Sequence, residues 1–165
     1  MSIAFLFIAA AIAVITGLVL FVRSRMEVTY QVTLTELPRV LTALLASSDF
    51  PAFAVFMFNP SGHPGSHDTV NIQCAVDNHR VGLDWVLIGP RNIADEARFT
   101  EFARAAGYNP QMQERNGVRY LRVEDGDLAL LCRDIITKLY GRDENKTVEM
   151  LVEGFEWTSL IPPSR

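Results

Sequence analysis

The sequence predicts an α+β fold carried on an N-terminal membrane anchor. Three observations predict it: an unbroken apolar run at the start, strand pairs joined by hairpin turns, and amphipathic helical stretches between them. The expected order after the anchor is α-β-β-β-α-β-β-α-β. Its sheet is mainly antiparallel, and about three helices pack on one face.

The anchor comes first. From Ile3 to Val22 the run IAFLFIAAAIAVITGLVLFV is interrupted only by Thr16 and Gly17. About 20 apolar residues at a rise of 1.5 Å span a hydrocarbon layer of roughly 30 Å. A cleaved signal peptide would need a basic start, a shorter apolar core and a small-residue cleavage site. Here no Lys or Arg precedes the run, and Ala11-Ile12-Ala13 falls in its middle. Arg23 and Arg25 follow it directly, so the positive-inside rule directs the rest of the chain to the cytoplasm. Within the span, Ala9, Ala13 and Gly17 recur every fourth residue and form a stripe suited to helix–helix contact, although alanine is simply abundant there. The expected organisation is an anchor with its basic flank at 1–25, a juxtamembrane strand or linker at 26–35, a soluble domain at 36–158 and a tail at 159–165.

Glu27–Leu34 alternates, with Val28, Tyr30, Val32 and Leu34 on one side. A helix is expected from about Glu36 to Ala46, capped by Thr35, with Pro38 in its first turn and Leu37, Val40, Leu41, Leu44 and Leu45 on one face. Ala52–Phe58, AFAVFMF, is apolar throughout and reads as a strand buried on both faces. The stretch NPSGHPGSHD is a loop. Thr69–Asp77 and Val81–Ile88 alternate around the turn Asp77-Asn78-His79 and read as a hairpin. After Gly89-Pro90, Asn92 is expected to cap a helix to about Ala106, its stripe made of Ile93, Ala97, Phe99, Phe102, Ala103 and Ala106. Asn116-Gly117 turns a second hairpin between Met112–Arg115 and Val118–Val123. Asp127 caps a third helix that buries Leu128, Leu131, Cys132, Ile135 and Leu139, with Gly141 at its end. Val148–Val152 is a last strand.

The core order α-β-β-β-α-β-β-α, over about Glu36 to Tyr140, resembles that of the class I type III secretion chaperones and their chaperone-like relatives. The anchor and the strand after the third helix depart from that pattern. The resemblance implies a dimeric, non-enzymatic protein-binding domain.

Composition narrows the function. The 165-residue chain has a formal charge of −4, all of its charged side chains lie beyond Val22, and a basic stripe for nucleic acid is missing. Cys74 and Cys132 are too few for a disulfide framework and each lies on an apolar stripe, as buried thiols do. All three histidines fall within 17 residues, and His63, His67, Asp68 and His79, with Asp77 beside them, are the candidate metal ligands. Pro64, Gly65 and Ser66 between the first two forbid a regular helix, which favours a solvated loop. Gly62 and Gly65 lack phosphate-loop spacing, and Ser61 and Ser66 lack a nucleophile elbow. Arg115, Arg119 and Arg122 form a local basic cluster that protects a strand edge or meets an acidic partner or anionic lipid. No cofactor motif is present. The favoured reading is a membrane-anchored cytoplasmic binding or adaptor module without catalytic activity, its partner another protein or a second copy. A metal-dependent or hydrolytic enzyme using the His63–His79 region and a structural subunit of a membrane complex are the alternatives.

Overall fold

A computed structural model of the protein describes residues 29–47, 51–61 and 68–158. The expected span, with Ala9, Ala13 and Gly17, lies outside them, as do Arg23 and Arg25. Among the described residues no helix is long and apolar enough to cross a membrane.

The fold is α+β. Seven strands form one sheet: β1 (Thr29–Val32), β2 (Phe53–Phe58), β3 (Val70–Asp77), β4 (Arg80–Val86), β5 (Gln111–Arg115), β6 (Val118–Val123) and β7 (Val148–Glu153). Their spatial order is β1-β7-β2-β3-β4-β6-β5, and every neighbouring pair is antiparallel. Residues 29–32 are therefore an edge strand of the sheet, in register Thr29↔Leu151 to Val32↔Val148. The helices are α1 (Leu37–Leu45), α2 (Pro90–Ala94), α3 (Glu96–Ala105) and α4 (Leu128–Asp134). Turn chemistry sets both hairpins: Asn78 and His79, and then Asn116 and Gly117, take the left-handed conformation that a two-residue connection needs.

One sheet face carries the core. Ala54, Phe56, Ile72, Cys74, Leu83, Trp85, Val123 and Met150 are fully buried, joined by Leu37, Val40 and Leu44 of α1 and Leu131 and Cys132 of α4. Burial raises both thiols well above their ordinary range, Cys132 to about 12. Trp85 stacks on Phe99 at 4.7 Å. Trp157 closes over α1 and receives Arg39 at 4.3 Å from its ring centroid.

Four expectations need correction. First, Thr35 is not the cap of the first helix: it lies inside a 3₁₀ turn, Leu34–Glu36, which Thr33 caps and which precedes α1, whose own cap position is Glu36, and Glu36 accepts from the Thr33 backbone N–H at 2.9 Å. That reciprocal contact, with Arg39 at 3.8 Å, satisfies the buried Glu36 carboxylate. Second, Gly89 occupies the cap position before α2, and Asn92 is a fully buried bracket. Its Oδ1 accepts from Asn71 N at 3.0 Å and its Nδ2 donates to Asn71 O at 2.7 Å. It thus serves the backbone of β3 just past the last β3–β4 pair, Gln73↔Asp84. Trp85 Nε1 donates to the Asn92 carbonyl at 2.9 Å. Third, the chain breaks at Asp95 between α2 and α3, so no single stripe runs through: Phe99 and Ala103 are buried while Ile93, Ala97 and Ala106 are exposed. Fourth, β2 is not buried on both faces. Ala54, Phe56 and Phe58 are buried, whereas Phe53, Val55 and Met57 are half-buried on the other side.

The third helix matches its expectation at the start. Asp127 accepts from Leu130 N at 2.9 Å. It then widens into a π-helical turn over Ile135–Leu139, which keeps Ile135, Ile136 and Leu139 all buried and delivers Tyr140 beside α3.

Candidate functional site: the second sheet face

Residues paired directly across strands point to the same side of a sheet. The register therefore assembles the second face row by row. One row runs Thr29, Leu151, Val55, Gln73, Asp84, Arg122 and Gln111. Phe53 stands opposite Glu153 and Ala75, and Met57 opposite Glu149 and Asn71. Phe53, Val55, Met57 and Leu151 are half-buried, and none of them packs into the core cluster that the helices share. The result is an apolar patch on the inner strands β2 and β7, with carboxylates at both ends of its β7 side.

Further along this face lies a buried ion pair. Arg122 Nη1 reaches both Asp84 oxygens, at 2.8 and 2.9 Å, its Nε donates to Glu124 at 2.5 Å, and its Nη2 donates to Ala75 O at 3.3 Å. The side chains of Arg122 and Asp84 are 3% and 5% exposed, so the pair is buried although it lies on the face opposite the core that the helices share. Gly82 makes this possible: a Cβ there would lie 2.3 Å from Arg122 Cζ. Burial pushes the Asp84 carboxyl up to about 6, against the pull of the guanidinium. Burial pulls Arg122 down, but Glu124 and Asp84 more than offset it. Chemically the arrangement closes charge upon itself and fastens β4 to β6. A cleft of about 260 Å³ opens beside it, lined by Gln73, Asp84, Tyr120, Arg115 and Ile88. That is smaller than the roughly 300–1,000 Å³ of pockets that enclose drug-sized ligands.

A second polar cluster lies where β2 and β3 meet α2. Arg91 pairs with Asp95 at 2.6 Å and with Asp68 at 2.9 Å, and Tyr140 donates to the same Asp95 oxygen at 2.6 Å. Arg91 and Arg98 stand 5.5 and 5.1 Å from the Tyr140 ring centroid. Hydrogen bonds from Ser61, then Arg91, hold the Asp68 carboxyl below its ordinary value, while burial raises the Tyr140 phenol.

The described residues among the sequence-derived candidates fall in different places. Asp68 belongs to this ion-pair cluster and His79 is exposed in the β3–β4 turn, while His63 and His67 lie outside the described residues. Among the described residues no group of three or more His, Cys, Asp or Glu side chains is placed to hold a metal. The arginine trio is split by strand alternation. Arg115 and Arg122 point to the second face, where Arg122 is buried, whereas Arg119 points to the other side and pairs with Glu96 at 3.7 Å. Sequence reasoning missed the Asp84–Arg122 pair and the apolar patch. Gly82 inside a strand was the available signal for a close approach.

Compared with protein-family models, with curated proteins and with solved structures, the chain matches none.

Proposed function

We propose that the chain is a membrane-anchored binding or adaptor module without catalysis of its own, its domain facing the cytoplasm, which holds a protein partner on the second sheet face. One observation carries the reading: Phe53, Val55 and Met57 occupy three successive outward positions of an inner strand, and Leu151 adjoins them. A strand that met only water on this side would alternate apolar with polar. Contiguous apolar surface of this kind marks interaction sites. The run Ile3–Val22 and the arginines after it support the anchor and its direction.

The test uses the full chain in its native membrane, with a photoreactive residue at Val55 or, as a control on the helix side, at Leu130. A discrete adduct from position 55 that disappears in Met57→Asp, with the thermal transition unchanged, is the expected result. The same adduct from both positions overturns the assignment of the face. A reporter active only outside the cytoplasm, fused after Arg165, should be silent; strong activity reverses the topology.

A further inference from the structure

We infer that the docking segment of the partner is a basic amphipathic helix, an inference that rests on the binding reading above. The apolar patch has an acidic side. Glu149 is paired with Met57 and Glu153 with Phe53, so both carboxylates stand one strand away from the patch, at its two ends. Among the described residues the cations of this face lie away from the patch: Arg122 is buried in its pair with Asp84, Arg80 stands at the β3–β4 turn and Arg115 on the far edge strand. A partner that covers the patch must therefore bring positive charge to the β7 side.

Dimensions fit a helix. From Phe53 to Met57 is four strand steps, about 13 Å at roughly 3.3 Å each. A helix covers that length in about nine residues, so apolar side chains at i, i+3, i+4 and i+7 would meet Phe53, Val55, Met57 and Leu151. Glu149 and Glu153 are the same distance apart, which calls for Lys or Arg about seven or eight positions apart on the flank of that helix. Met57 suits such a surface because its unbranched thioether adapts to differing side chains.

Two other occupants fit less well. An anionic lipid surface is repelled by Glu149 and Glu153. A second copy docked face to face about a two-fold axis would bring the acidic β7 side over the arginines of its mate. That places Gln73 and the buried carboxylate of Asp84 near the centre of the interface, where stable interfaces are depleted of charge.

The experiment takes the full chain in phosphatidylcholine nanodiscs, with the photoreactive residue at Val55, and two labelled 14-residue helical peptides. Both carry Leu at i, i+3, i+4 and i+7; the flanks are Lys in one and Glu in the other. Capture at position 55 should favour the Lys peptide by about tenfold, as two rim charge pairs allow. Glu149→Lys with Glu153→Lys should invert the preference. Asp125→Lys with Glu144→Lys, the same charge change in loops, should leave it intact. Equal capture of both peptides that is lost in Met57→Asp overturns the basic helix but keeps the face as a docking surface. Capture indifferent to Met57→Asp overturns both. A cross-link from position 55 joining two copies of the chain overturns the inference in favour of self-association.

Discussion

Replacing Gly82 by alanine should destabilise the domain by far more than its one added methyl suggests. Gly82 is not among the residues with positive φ, so its backbone accommodates a side chain without strain. Within a strand that exchange ordinarily gains about 0.5–1 kcal/mol by restricting the unfolded chain. Here the new Cβ would stand 2.3 Å from Cζ and 2.5 Å from Nη2 of Arg122. A guanidinium at the end of a flexible side chain could usually swing aside. This one is held by Asp84, Glu124 and Ala75 O and cannot move without breaking a buried pair. Breaking such a pair typically costs about 3–5 kcal/mol, which leaves a net loss of about 2–4 kcal/mol. Urea denaturation of the full chain in detergent, followed by tryptophan fluorescence, measures it, since Trp85 is fully buried on β4. The decisive comparison is the same exchange in an Asp84→Asn, Arg122→Met background, where the sign should reverse and Gly82→Ala should stabilise by about 0.5–1 kcal/mol. A neutral Gly82→Ala in the natural chain, or an equal loss in both backgrounds, refutes the reasoning.

Three further outcomes are expected. Asn92→Ala strips both partners from the Asn71 backbone and should cost about 1–3 kcal/mol per orphaned group, read by denaturant midpoint and by faster amide exchange at Asn71. Leu131→Ala, in the buried stripe of α4, should cost about 2–5 kcal/mol, while His67→Ala, in a segment the sequence reads as a solvated loop, should stay within about 0.5 kcal/mol; the reverse order would make that segment a structured site. Asp84 titrates near 6 when folded against 3.8 when unfolded, so between those values the folded state holds the extra proton. Its contribution is therefore full below pH 3.8 and lost as pH rises through 6, and the difference between the natural chain and Asp84→Asn should follow that window.

What the sequence revealed follows from the range of the forces involved. Elements fixed by local chemistry were legible: Asn116-Gly117, the Asp127 cap, and the alternation of β3 all have their causes within a few residues. Asn92 was misread because a cap and a bracket use the same side chain, and what decides between them is Asn71, distant in sequence. The AFAVFMF run suggested burial on both sides because apolarity records what a strand is suited to touch, not whether this chain supplies it. Asp84 occupies a position where alternation predicts exposure, between Leu83 and Trp85, and its partner lies 38 residues on. The arginine trio looked like one patch because sequence proximity conceals the period of two that sends Arg119 to the opposite face.

The placement of β7 also governs how this protein is made. Residues 148–153 are the last of the described strands in sequence, yet they lie between β1 and β2 and satisfy the backbone of both. From Phe58 to Val148 the chain adds about 90 residues, which at roughly 5–20 residues per second is on the order of 5–20 seconds of synthesis. Throughout that interval the outer edge of β2 lacks its neighbour while its side chains are apolar on both faces. Short apolar stretches of β-forming residues with an open edge are those that pair with the wrong chain. The nascent protein thus passes through a stage at which this apolar strand of the sheet is unguarded, and chaperone demand and yield should depend on how quickly residues 148–153 arrive.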